Sequence, residues 1–185
     1  DVGARFYTYT WTLTHVIDAC ATAGVPLFVL DRPHPLGGLL QQVEGPHMAA
    51  HFSFIGRHTL PVTHSLTLGE MALLWRKERC PAADVRVVAC TGWRGGLSQD
   101  SFSTAFVPPS PALTSVDACL FYPGLCFFEA TNVSVGRGDV FSFCAVGARW
   151  LDAPATAQRL HARGLSGVAV EVTSIRPQTG PHARC

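Results

Sequence analysis

Lysine is almost missing from this 185-residue chain. Lys77 is the only one, and the other basic residues are arginines scattered along the sequence without a basic tract. The 14 basic residues face 13 acidic ones, for a formal net charge of +1. So balanced a chain has no field to steer a polyanion, and nucleic acid is not an expected partner. Long apolar runs are also missing. The longest, such as residues 26–30, fall far short of the roughly 20 residues a bilayer span needs. None of the seven cysteines forms a C-x-x-C pair, so a structural zinc site is not expected. His47 and His51 have the i, i+4 spacing of a two-imidazole metal face, with His58 beyond. No carboxylate accompanies them, and no metal site is assigned. No G-x-G-x-x-G follows a strand candidate, which argues against a Rossmann-type dinucleotide site, and no cofactor is expected. Internal repeats, low-complexity tracts and coiled-coil heptads are absent.

What remains is a globular composition, 48% hydrophobic and 15% charged. Several cysteines (Cys20, Cys80, Cys90, Cys119, Cys126, Cys144 and Cys185 in all) sit in apolar runs. There they are expected as buried thiols, not as a disulfide framework. Residues 5–23 carry apolar side chains at helical spacing, and Gly24 is a plausible stop. Residues 26–30 then read as a buried strand. Residues 35–46 read as a loop, and residues 67–77 as a helix with Thr67 and Glu70 in capping-box positions. Residues 85–90 read as a second strand and residues 95–111 as a loop. Residues 155–163 are expected as a helix stopped by Gly164, residues 168–172 as a strand, and the tail from Pro177 as frayed. Helix, short turn and apolar strand in succession is the phrase of an α/β fold. The expectation is a Rossmann-like, mainly parallel sheet with flanking helices over residues 1–150. The start of a smaller α+β subdomain would follow over residues 151–185.

Chemistry-bearing residues gather at the ends of the strand candidates and in one later stretch. Asp31 and Arg32 follow the first strand, and Trp93 and Arg94 follow the second. In open α/β sheets ligands collect outside the carboxyl ends of strands. A closing Asp–Arg turn and a core tryptophan are the structural alternatives. Glu70 is explained as a cap whether or not it also faces a cleft. In residues 122–150 two apolar runs flank Glu129, Thr131, Asn132, Ser134, Gly136, Arg137, Gly138 and Asp139. Two glycines around an arginine suit a tight backbone path. A carboxylate, an amide and a guanidinium so close together suit a binding or catalytic constellation, and a turn capped by local hydrogen bonds is the bland alternative.

Five ordered blocks carry a resemblance: DVGARFYTY from Asp1, VLDRPHP from Val29, HSLTLGE from His64, PSP from Pro109, and YPGLCFFEATNVSVGRG from Tyr122. Together they resemble the exo-β-N-acetylmuramidase family, also called NamZ or YbbC-like. The resemblance implies a glycoside hydrolase that releases terminal N-acetylmuramic acid from peptidoglycan chains, secreted or periplasmic. It also implies a fragment, since family members carry an earlier half with a Pro-Glu-His-Gly block and a longer C-terminal part. Carried onto this sequence, it implies Glu129 and Glu70 as catalytic candidates. Asp31, Arg32, His64, Trp93, Arg94, Ser110, Thr131, Asn132 and Arg137 become substrate-binding candidates, with Arg32, Arg94 or Arg137 available to a lactyl carboxylate. Glycoside hydrolysis needs a proton donor to the leaving oxygen and a second group for the nucleophile, unless the 2-acetamido group takes part. Glu129 suits either the proton donor or a carboxylate that stabilises positive charge on the sugar. The chain departs from the family pattern at His34, Ser65, Ala112, Ala130, Val135 and Asp139. These departures leave a catalytically impaired carbohydrate-binding homologue as the alternative.

Overall fold

The computed structural model describes residues 1–96 and 106–179. The expected loop over residues 95–111 and the frayed tail therefore lie partly outside the described residues, as does Cys185. By its internal contacts the chain divides into Asp1–Pro109 and Ser110–Cys185. The division expected near residue 150 falls inside the second unit.

In the first unit the order is α1 (Tyr9–Ala23), β1 (Leu27–Leu30), α2 (Leu68–Glu78) and β2 (Val85–Val88). Helix α1 ends where Gly24 turns left-handed at φ 66°, and the Gly24 and Val25 amides donate to the carbonyls of Ala21 and Cys20. Helix α2 opens with the capping box read from the sequence. The Thr67 hydroxyl accepts from Glu70 N–H, and Glu70 accepts from Thr67 N–H. Strands β1 and β2 pair in parallel, with Leu27 opposite Val85 and Leu30 opposite Val88.

Period-two alternation then sorts the strand side chains. Val29 and Val85 are buried with Ile17 of α1 and with Ala72 and Trp75 of α2, and Leu27 and Val87 pack against them. A second cluster joins Trp11 of α1 to Met71 of α2 and Leu60. Each helix lays an apolar stripe on one face of the strand pair, which is the expected α/β arrangement on a small scale.

The second unit holds α3 (Val116–Leu125) and α4 (Ala153–His161). Ser115 caps α3 by accepting from Ala118 N–H, and Asp152 caps α4 by accepting from Ala155 N–H. Pro123 lies inside α3, and the chain tightens directly afterwards into a 3₁₀ turn over Cys126–Ala130. The strand expected over residues 168–172 does not form. Its apolar residues find no partner strand among the described residues, and Val168 and Val172 are left exposed. Apolar and β-branched character alone does not make a strand without a ladder to join. The cysteine expectation holds only in part. The six described cysteines are free thiols, but only Cys119 is fully buried and Cys144 is exposed. No helix among the described residues is long and apolar enough to cross a membrane.

Candidate functional site

In the first unit three segments surround the carboxyl end of the strand pair. Asp31, the residue after β1, turns its carboxylate onto the start of α2. Its Oδ2 accepts from the Thr67 hydroxyl at 2.7 Å and its Oδ1 from Gly69 N–H at 2.8 Å. Oδ1 also accepts from Arg32 N–H at 3.0 Å. A carboxylate here meets unpaired amides and the positive end of a helix. The Arg32 side chain is exposed. Glu70 is exposed as well, with Oε2 held by Thr67 N–H at 2.8 Å.

The loop leaving β1 is tied back at several points. The Ser65 hydroxyl donates to the Leu39 carbonyl, Gly96 N–H donates to the Gly37 carbonyl at 2.6 Å, and the Trp93 ring lies against Gly38. Trp93 is thus half-buried as a wall of this loop, and Arg94 beside it is exposed. His64 is buried, and among the described residues neither ring nitrogen has a hydrogen-bond partner; the Asp1 carboxylate is 3.7 Å from Nε2. Burial pulls the His64 imidazole down to about 4, so the ring is neutral at physiological pH.

In the second unit the residues around Glu129 form a connected set. Glu129 sits in the 3₁₀ turn, and its Oε1 accepts from Arg137 Nε. Its Oε2 accepts from the Cys126 thiol at 3.5 Å. Burial raises that thiol to about 11, so at neutral pH it is a donor and not a thiolate. Tyr122 lies one turn before Cys126, and burial and then Cys126 push its hydroxyl above the usual range. The hydrogen bond to Glu129 holds the Arg137 guanidinium firmly in its charged form. Its carbon lies 5.2 Å from the centre of the Phe143 ring, which packs edge-on against Tyr122.

The glycine pair around Arg137 works as expected. Gly136 and Gly138 take φ 70° and 77°. A side chain at Gly138 would meet Gln178 Cβ at 2.9 Å. The Arg137 carbonyl accepts from Gln178 N–H at 2.9 Å, which fixes the loop from the other side. Ser134 pairs with Gly147 through both backbone bonds. Asp139 is engaged by backbone, accepting from Arg176 and then Phe141 N–H, and these bonds hold its carboxyl below the usual range. Asn132 and Thr131 are exposed, with Thr131 Oγ1 donating to the Phe128 carbonyl at 2.7 Å. Ser110 is half-buried, and its carbonyl accepts from Leu113 N–H at 3.1 Å.

Each unit thus gathers its own candidates. Asp31, Arg32, His64, Glu70, Trp93 and Arg94 belong to the first. Ser110, Glu129, Thr131, Asn132 and Arg137 belong to the second. Sequence reasoning did not foresee His34, which is buried, or the Cys126 thiol on Glu129. The thiol had a signal in its i, i+3 spacing on a helical turn. A histidine between two prolines gave none.

An α/β unit with loops and polar groups at the carboxyl ends of parallel strands is a common setting for ligand sites. The chain belongs to the exo-β-N-acetylmuramidase NamZ family. The family's N-terminal model matches residues 1–117 and its C-terminal model residues 120–184. A relative, the peptidoglycan β-N-acetylmuramidase NamZ of Bacillus subtilis (strain 168), is 36% identical over 183 residues. That match takes in 98% of this chain and 44% of the relative. Two solved structures of DUF1343 family proteins from Bacteroides fragilis NCTC 9343 have the same fold. One superposes with a TM-score of 0.87 at 29% identity, over 99% of this chain and 48% of its own. The other gives 0.66 at 38% identity, over 77% and 40%. The chain therefore spans about half the length of the relatives it matches.

Proposed function

We propose that this chain supplies substrate-binding and catalytic groups of a glycoside hydrolase, exo-acting on the terminal N-acetylmuramic acid of peptidoglycan fragments. Family membership supports the reaction class, and the named activity of the Bacillus subtilis relative supports the substrate. The single observation that carries the reading is the Glu129 carboxylate. It is held between the Arg137 guanidinium and the Cys126 thiol on the 3₁₀ turn. Such a carboxylate suits stabilisation of positive charge on a sugar ring, or protonation of a leaving oxygen once substrate displaces Arg137. The displaced Arg137 would then be free to pair with the sugar's lactyl carboxylate; Arg32 and Arg94, exposed in the first unit, are the other candidates for that role. Thr131 and Asn132, exposed on the same turn as Glu129, would contact sugar hydroxyls. Within the second unit Ser110, and within the first unit His64, Trp93 and Asp31, are proposed as further substrate-binding groups. Glu129 is the first candidate for the catalytic carboxylate and Glu70 the second.

A second reading has its own support. Asp31 and Glu70 are both engaged at the start of α2, as expected of supports in a carbohydrate-binding homologue that has lost turnover. Hydrolysis of a chromogenic N-acetylmuramide by the complete gene product separates the two. Release of chromophore at an enzymatic rate supports the hydrolase. Saturable binding of muramic acid without release supports the binding homologue.

A further inference from the structure

The loop that leaves β1 is built around one imidazole. His34 lies between Pro33 and Pro35 and is only 2% exposed. Its Nδ1 accepts from Leu36 N–H at 3.1 Å, and its Nε2 lies 3.2 Å from the His64 carbonyl oxygen. An amide can only donate and a carbonyl can only accept, so the partners fix the ring. Nδ1 is bare and Nε2 carries the proton. Both bonds require the neutral ring, because a proton on Nδ1 would face the Leu36 N–H.

The surroundings are cut to that ring. A side chain at Gly3, which has φ 71°, would meet His34 Nε2 at 2.2 Å. The Gly3 carbonyl accepts from His64 N–H at 2.7 Å, closing the cage. Three segments distant in sequence therefore meet on one side chain. Burial, and then the neighbouring His64, pull the His34 ring down to about 4, which agrees with the neutral form. The charged groups facing this pair belong to Asp1: its carboxylate, 3.7 Å from His64 Nε2 and accepting from the Thr10 hydroxyl of α1, and its amino group, which also lowers both rings.

We propose that His34 is a positioning residue of the candidate site: its neutral Nε2–H tautomer sets the path of residues 33–39 beside Asp31 and Arg32. This rests on the reading that the strand-end loop borders the saccharide. The other ties of the loop, from Ser65 and Gly96, do not involve the imidazole. Loss of His34 is therefore expected to loosen the loop without unfolding the unit.

The test combines ring NMR, amide exchange and kinetics on the complete gene product and on H34L and H34N. Long-range ¹H–¹⁵N spectra of the parent at neutral pH should show His34 as the Nε2–H tautomer. H34L should raise exchange at the Leu36 amide by about tenfold, the size expected for one hydrogen bond. In H34N the carboxamide oxygen can still accept from Leu36 N–H, so protection should largely remain. Protection in the parent should fade as pH approaches about 4, and in H34N it should not. On a chromogenic N-acetylmuramide, H34L should raise KM by about tenfold and change kcat less.

An Nδ1–H tautomer, or Leu36 protection unchanged in H34L, overturns the proposal. So does lost protection with an unchanged KM, which would detach the loop from the site. If H34L fails to fold, the parent's tautomer and the pH response of H34N decide. A parent that turns over no muramide refutes the proposed reaction; the tautomer and exchange results then still decide what His34 does to the loop.

Discussion

The Asp31 carboxylate occupies the space that a side chain on Gly69 would need. A Cβ at position 69 would lie 2.6 Å from Asp31 Oδ2 and 2.7 Å from Val87 Cγ1. The end of β1, the start of α2 and the inner face of β2 therefore meet with no atom to spare. This approach lets Asp31 reach both the Thr67 hydroxyl and the Gly69 amide.

Two effects of opposite sign compete at Gly69→Ala. Helix propensity alone favours alanine by about 1 kcal/mol. Forcing a methyl into a filled contact costs about 1–3 kcal/mol. The contact is expected to win, because both neighbours belong to anchored segments. Chemical denaturation should show a net loss of up to about 2 kcal/mol. A gain in stability would mean that Asp31 moves aside freely.

Glu70 can be tested as cap and as catalyst separately. Glutamine can accept from Thr67 N–H as glutamate does, whereas alanine loses that bond, worth about 1 kcal/mol. Glu70→Gln should thus melt close to the parent and Glu70→Ala clearly below it. If Glu70→Gln keeps its melting temperature and its turnover, the residue is a cap alone. If it keeps the first and loses the second, Glu70 also works on the substrate.

Acid should destabilise the first unit through its two buried histidines. Burial lowers both His34 and His64 from the ordinary 6.5 to about 4. For a base whose folded value is depressed, the unfolded chain binds the proton first. The stability is therefore fully present above about 6.5 and is lost as pH falls towards about 4. The loss should be on the order of 3 kcal/mol per ring, visible as a falling denaturation midpoint. Replacing His34 by Asn should remove part of the slope. A midpoint flat over that interval would contradict the burial of the neutral rings.

Much of the frame was legible because local signals and tertiary context agree. Gly24 ends α1, Thr67 and Glu70 open α2, and two apolar runs form β1 and β2. Residues 168–172 show the limit, since a strand depends on a partner that the run itself does not name. The candidate site was legible as a list but not as a set of contacts. Nothing in the sequence distinguished Asp31, bound to a helix start, from Glu129, bound to an arginine. Gly69 read as an ordinary helix residue. Its role depends on what approaches it from β1 and β2, which are distant in sequence.

The most direct test of the central claim is turnover by Glu129→Gln in the complete gene product, with two chromogenic N-acetylmuramides. One should carry a poor leaving group and the other a strongly activated one. The account predicts that the parent cleaves both. It also predicts that the variant loses most turnover on the poor leaving group, by at least about a hundredfold, the usual contribution of a positioned acid or base. A much smaller loss on the activated substrate would make Glu129 the proton donor. An equal loss on both would make it the carboxylate that stabilises charge on the sugar. Parent-like rates on both substrates would contradict the account and leave Glu129 as the structural partner of Arg137.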